Sequence, residues 1–155
     1  MKMYRYLIPV VFLAFSSLLT GITSELSAEE AMPSLYDRLG GVYNIAAVVD
    51  DFVERLLVND TLNANPAIDE SRKIPKAGLK FQVTALVCQV TGGPEQYAGR
   101  AMKESHKHLN ISGAEWDVML VEFNETLKKF KVPEQEQSEL IVILDSTKAD
   151  IVTVQ

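Results

Sequence analysis

Cysteine is almost missing from this sequence. Cys88 is the one thiol, so the chain can close no disulfide on itself and has no zinc cluster of the cysteine–histidine kind. Histidine is nearly as scarce, with only His106 and His108. Basic residues number 15 against 21 acidic ones, for a formal charge of −6. No basic stripe offsets that acidity, which excludes nucleic acid as an expected partner. No useful stretch alternates apolar and polar residues with period two, which leaves a sheet-based fold without support. There is no phosphate loop, no spacing that supports a serine–histidine–carboxylate triad, and no carboxylate pair on one apolar face. Catalysis by side chains alone has no visible seat here.

What remains is an ordinary folded composition, 47% apolar and 23% charged, in a chain of 155 residues that fits one domain. The first residues differ from the rest. Lys2 and Arg5 precede an apolar run from Tyr6 through Leu19, and the small residues Leu26-Ser27-Ala28 follow. That is the layout of a secretory signal peptide. We assign residues 1–28 to the signal, with cleavage after Ala28, residues 29–33 to a short linker, and residues 34–155 to one globular domain. Export to the periplasm or out of the cell follows. The alternative is an uncleaved membrane anchor, since the run nearly spans a bilayer; Pro9 and Ser16-Ser17 speak for cleavage. Cys88, close to Val87 and Val90, is expected to be buried.

From residue 34 onward the periodicity is helical, and the predicted fold is all-α. Val42, Ile45, Ala46, Val49, Phe52, Val53 and Leu56 follow one helix face. Gly40-Gly41 parts that helix from a short turn, Ser34 to Leu39. Residues 59–75 are polar and rich in turn formers, and read as a loop with at most one helical turn. A third helix is predicted over residues 76–90. Its apolar residues spread over more than one side (Leu79, Phe81, Val83, Leu86, Val87, Val90), so it is expected to lie buried between neighbours. Thr91-Gly92-Gly93-Pro94 ends it, and a short helix then leads to the histidines and stops at Asn110. Ser112 and Glu115 form a capping box for a fifth helix, whose stripe is Trp116, Met119, Leu120, Phe123, Leu127 and Phe130. Its closing cations, Lys128, Lys129 and Lys131, suit the helix dipole. Pro133 opens a last helix with Leu140, Ile143, Leu144, Thr147 and Ile151 on its buried face.

Helix geometry separates the two histidines. Met102, His106 and Leu109 are spaced four and three apart and share a face, whereas His108 is turned about 200° away. His106 therefore points inward and His108 outward. A lone inward histidine has two readings: a ring satisfied by a backbone carbonyl, or a ligand. A cluster-type metal site is excluded by the shortage of partners. Haem iron remains, because it needs a single axial imidazole and an apolar slot. Phe52, Leu86, Val87, Met102, Leu109, Phe123 and Leu144 are available to line one.

The order of several short pieces resembles group I truncated haemoglobins over roughly residues 34 to 152. They are Ser34-Leu35-Tyr36-Asp37-Arg38-Leu39-Gly40-Gly41, Val48-Val49-Asp50-Asp51-Phe52, Thr91-Gly92-Gly93-Pro94 with Tyr97 and Gly99, and Met102-Lys103-Glu104-Ser105-His106. The resemblance implies a two-over-two helical sandwich around haem b. It makes His106 the proximal iron ligand and puts a diatomic gas (O2, NO or CO) on the opposite side. Cofactor contacts are then expected from Phe52, Val53, Leu79, Val83, Leu86, Val87, Tyr97, Met102, Lys103, His106, Leu109, Ile111 and Phe123. Tyr97 and Lys103 are candidates for the haem propionates or else surface decoration. Any activity would be the iron's own redox chemistry, with a redox partner protein as a further expectation. The alternative is a haem-free globin fold kept as an interaction module.

The far side of the cofactor departs from that family. The position usually held by tyrosine, directly after the phenylalanine of the second helix, is Val53. The glutamine position of the third helix falls on Val83, with Gln82 beside it and expected to point elsewhere. The phenylalanine pair of the following loop is replaced by Asn65-Pro66. Oxygen held at such a site draws on a nearby hydrogen-bond donor, whereas carbon monoxide and nitric oxide depend on one less. The altered set argues against oxygen storage. Lys80, a conceivable sixth ligand, is expected to stay solvated.

Overall fold

The computed structural model describes residues 32–71 and 73–154. The signal or anchor assigned to residues 1–28, and the start of the linker, lie outside the described residues. Among the described residues no helix is long and apolar enough to cross a membrane.

Nine helices and two very short strands make up the described part. Helix α1 (Leu35–Arg38) is started by a capping box in which Ser34 and Asp37 satisfy each other's backbone amides. Helix α2 (Gly41–Val58) follows at once, because φ is +84° at Gly40 and +77° at Gly41, a conformation open to glycine. The segment expected as a loop contains two short helices instead, α3 (Asp60–Asn63) and α4 (Pro66–Ser71). Asn59 starts the first by accepting from the amides of Thr61 and Leu62, and Pro66 stands first in the second.

Helix α5 (Lys76–Val90) has the predicted bounds. Its predicted burial is not found. Only Ala85 and Cys88 are buried, while Leu79, Phe81 and Val90 are 38%, 69% and 45% exposed. The reason is that α5 packs chiefly on one neighbour, α2, so its other sides face outward. Gly92, at φ +92°, ends it. Gly93 leaves room for the Tyr36 ring and the Cys88 carbonyl, which an added Cβ would meet at 2.4 and 2.9 Å. Cys88 is fully buried as expected. Burial, with the nearby Glu95 carboxylate, pushes its thiol up to about 11, so it stays protonated.

Helix α6 (Met102–His106) is short, and strand β1 (Ile111–Ser112) leads into α7 (Gly113–Lys129). The Ser112–Glu115 capping box is present. Trp116 and Leu127 are buried at 1% and 0% exposure, each contributing about 2 kcal/mol or more of apolar burial. Phe130, expected at the end of that stripe, is 39% exposed, because the helix ends at Lys129 and Phe130 caps it. Helix α8 (Glu134–Asp145) has Pro133 one residue ahead of it, and the chain bends at Ser146-Thr147 before α9 (Lys148–Ile151). The single last helix of the sequence reading is therefore two. Strand β2 (Val152–Val154) then runs parallel to β1, with Ile111 opposite Val152. This pair is the one departure from an all-α chain among the described residues.

The arrangement is the two-over-two sandwich. Helix α2 packs on α5 and crosses α7. One apolar nucleus is Ile45, Val49, Val53 and Cys88; a second is Leu35, Leu127 and Leu140, joining α1, α7 and α8. Arg38 reinforces the second by pairing with Glu136, at 2.6 Å, and with Glu139.

Candidate functional site

His106 is the last residue of α6 and half-buried, while His108 is exposed. The helix ends at His106 rather than at Asn110, because residues 107–110 turn, so the outward place of His108 is set by that turn and not by helix spacing. The His106 Nδ1 lies 2.8 Å from the Met102 carbonyl, one turn back, and 3.2 Å from Ser105 Oγ. A carbonyl only accepts, so Nδ1 carries the proton and donates it there. Nε2 is then the nitrogen with a free lone pair, and the carbonyl fixes both the tautomer and the ring's direction. The Ser105 hydroxyl reaches back to the carbonyls of Ala101 and Met102. Met102 and Leu109 are half-buried.

The remaining site residues of the sequence reading fall into groups. Phe52 of α2 and Phe123 of α7 meet edge to face, with ring centroids 5.2 Å apart. Val53 is buried inside the first nucleus, and Val83 and Val87 of α5 pack against it. Among the described residues, both nuclei are built without Phe52, Leu79, Leu86, Met102 and Leu109. Leu79 and Lys103 are exposed and stand apart from these groups. Ile111 is half-buried and paired in β1. The Tyr97 hydroxyl donates to the Arg100 carbonyl at 2.7 Å, and its amide donates to Gln89, so this tyrosine first braces its own loop.

On α5 the polar residues behave differently from expectation. Lys80 is half-buried and paired at the surface: its ammonium bridges Asp50 at 2.6 Å and Glu54 at 2.7 Å, both on α2. Those two hydrogen bonds hold its pKa above the ordinary lysine value. It is committed to the α2–α5 joint rather than to a ligand position. Gln82 does not simply point away, for its Oε1 is buried with no hydrogen-bond partner among the described residues. Gln82 lies three residues from Leu79 and four from Leu86, on one helix face with both. Spacing alone separated it poorly from Val83, and only an orphaned buried oxygen distinguishes the two.

Asn65, read as the loss of an aromatic, has acquired partners instead. Its amide donates to the Leu109 carbonyl at 3.0 Å and to Glu115 Oε1 at 2.8 Å. Among the described residues no cluster of three histidine, cysteine, aspartate or glutamate side chains is placed to hold a metal ion. Among the described residues, His106 lines neither of two surface hollows. One, of about 470 Å³, is lined by Leu35, Val90, Val142 and Ile143; the other, of about 460 Å³, sits beside Lys148 and Val154.

The model of the bacterial-like globin family matches residues 34–153. The group 1 truncated hemoglobin GlbN of Synechocystis is 31% identical over 119 residues, covering 72% of this chain and 90% of that protein. The group 1 truncated hemoglobin of Tetrahymena pyriformis is 26% identical over 121 residues, covering 76% of this chain and 93% of the other. Among solved structures, the 2/2 hemoglobin of Synechococcus, crystallised in the cyanomet state with covalently attached heme, has a TM-score of 0.69 at 21% identity. It is covered over 98% of its length by 77% of this chain, a likeness of fold.

Proposed function

The chain belongs to the bacterial-like globin family, with group 1 truncated hemoglobins among its relatives, and we propose that it holds haem b through His106 and binds a diatomic gas. The observation that carries this reading is the match of the bacterial-like globin family over residues 34–153, which takes in His106. The hydrogen bond from His106 Nδ1 to the Met102 carbonyl satisfies the ring in either reading and is compatible with it. That bond leaves Nε2 with its lone pair for an iron, and a hydrogen bond donated from the other ring nitrogen raises the basicity of the ligating one. The donor chemistry fits haem, which asks the protein for one imidazole; it fits no free metal ion, which would ask for several ligands. When bound, haem supplies the position at which O2, NO or CO is held.

The chain's own residues then divide the work. Phe52, Leu86, Met102, Leu109 and Phe123 offer apolar area for the porphyrin and exclude water from it. Leu79, exposed on α5 in this structure, would offer further apolar area to the group. Lys103, at the exposed edge of α6, offers charge to the propionates. Val53 and Val83 present no hydrogen-bond donor, which favours carbon monoxide or nitric oxide over oxygen storage. Gln82 brings an amide to that face, with its oxygen buried and unpartnered among the described residues. Redox traffic through a partner protein belongs to the same reading. Export is proposed on the basic start and apolar run of residues 1–28, with the periplasm or the exterior as destination.

The test is a hemin titration of the full chain and of His106→Ala, followed by reduction under carbon monoxide. We expect a sharp Soret band in the wild type that weakens or shifts in the variant. Failure to saturate, or a spectrum indifferent to the substitution, overturns the proposal and leaves a haem-free globin fold. The mass of the protein recovered from the producing cell's exterior compartments checks cleavage after Ala28.

A further inference from the structure

Between His106 and α7 the chain has no helix of its own to hold it. Residues 107–110 turn sharply, with Asn110 at φ +51°. Such a connection is loose unless its backbone is tied down. Here it is tied at successive points. The Leu109 amide donates to the His106 carbonyl at 2.8 Å. The Leu109 carbonyl accepts from Asn65, and Ile111 pairs with Val152 of β2.

Asn65 differs from the other ties because it comes from the α3–α4 elbow, 44 residues upstream of Leu109. Both its amide hydrogens and its oxygen are engaged. The amide donates to Leu109 and to Glu115, and Oδ1 accepts from the Ala67 amide at 3.0 Å. Such a side chain has one orientation. Both its anchors are firm. On the elbow side, Asn59 caps α3 and donates to Glu122 of α7 at 2.8 Å, and Leu62 is buried. On the α7 side, Glu115 also accepts from the Ser112 amide at 2.7 Å and the Ser112 hydroxyl at 2.6 Å.

Resting on the haem reading above, we propose that Asn65 is a positioning residue for His106. Through the Leu109 carbonyl it ties the loop after His106 to the α3–α4 elbow and fixes where Nε2 stands. The role needs an amide: alanine loses both donated bonds, and aspartate turns a carboxylate toward the Leu109 carbonyl and Glu115.

The test uses the haem-loaded full chain as wild type, Asn65→Ala, Asn65→Asp and His106→Ala. Asn63→Ala serves as a control on the same elbow, since Asn63 reaches only the Leu57 carbonyl, at 3.5 Å. The readouts are the iron–histidine stretching band of the ferrous, ligand-free protein and the rate of hemin transfer to apomyoglobin. Hydrogen exchange at residues 109–112 of the haem-free chain is the third. In Asn65→Ala and Asn65→Asp we expect a shifted or broadened band, hemin loss faster by about tenfold, and faster exchange. Asn63→Ala should move none of them, whatever its melting temperature. A band present in wild type, lost in His106→Ala and unmoved in Asn65→Ala overturns this inference alone. A band missing from wild type overturns the His106 reading and this inference with it. Should Asn65→Ala not fold, Asn65→Ser is read in its place, since its shorter hydroxyl does not reach Leu109.

Discussion

Helices α5 and α7 look alike in sequence, each about four turns long and rich in apolar residues, yet they are held in different ways. Helix α7 begins with a reciprocal cap and buries Trp116, Thr126 and Leu127 almost completely. Helix α5 begins after Pro75 with no side-chain cap and buries only Ala85 and Cys88. Its first half is fastened by charge instead, Lys76 to Glu54 and Lys80 to Asp50 and Glu54. Exposed and partly exposed ion pairs stabilise weakly, typically by less than about 1 kcal/mol each. The sandwich therefore has a firm wall, α7 with the loop behind His106, and a lightly held one. In a cofactor-binding fold that asymmetry is informative: the light wall is the one left with apolar surface for something else to cover.

The strongest challenge to this division is a cavity in the firm wall. Leu127→Ala should cost about 3 kcal/mol, read from urea unfolding of the full chain, because its surroundings cannot collapse around the gap. A loss below about 1 kcal/mol would mean that α7 is no firmer than α5. The close approach at the end of α5 comes next. In Gly93→Ala the new methyl meets the Tyr36 ring, itself held by Glu95 and the Val42 amide, and the Cys88 carbonyl. The same measurement should show a loss of about 2 kcal/mol from overpacking.

Asp51 of α2 sharpens the comparison through pH. It is bound by Lys129, by Arg55 at 2.8 Å and by the buried Thr126 hydroxyl at 3.2 Å, joining α2 to α7. These bonds, Lys129 foremost, lower its pKa from 3.8 to about 2. A carboxylate depressed by folding stabilises above its unfolded pKa, and that stability is lost as pH falls from about 4 toward 2. Asp51→Asn should therefore lower stability at pH 7 by about 1 kcal/mol, allowing for solvent screening, and the gap to wild type should close near pH 2. Urea midpoints at pH 7, 4 and 2 check the sign. An equal deficit at all three would make Asp51 a matter of packing rather than charge.

Much of this was legible before any coordinates. The capping box at Ser112, the glycine breaks and the bounds of α5 are local signals, and they are where they should be. So is the relation of His106 to Met102, four residues back on one helix turn, though the helix stops before Leu109. Other features depend on partners distant in sequence. Counting apolar residues on α5 says how much it has to bury, but not how many neighbours it has. The elbow helices carry only Leu62 as a buried residue, so their caps had to be recognised without an apolar stripe. The β1–β2 pair joins segments of two and three residues, too short to show a period. Asn65 read as an absent aromatic because its partners lie 44 and 50 residues away.

The smallest expected effects test what the light wall is for. Phe81 and Leu79 are both exposed on α5, at 69% and 38%. Two residues apart in a helix, they point about 200° away from each other. Surface substitutions of this kind change stability by no more than about 0.5 kcal/mol, so Phe81→Ser and Leu79→Ser should unfold the haem-free chain at nearly the wild-type urea concentration. Haem should separate them. Leu79 shares its face with Gln82 and Leu86, and covering it with porphyrin is worth about 1 kcal/mol. Leu79→Ser should therefore release hemin several-fold faster than wild type, while Phe81→Ser should not. If both behave like wild type, the exposed face of α5 is ordinary surface and the firm wall holds the cofactor alone. If both release hemin faster, the light wall tightens as a whole when haem binds, rather than through the face that carries Leu79.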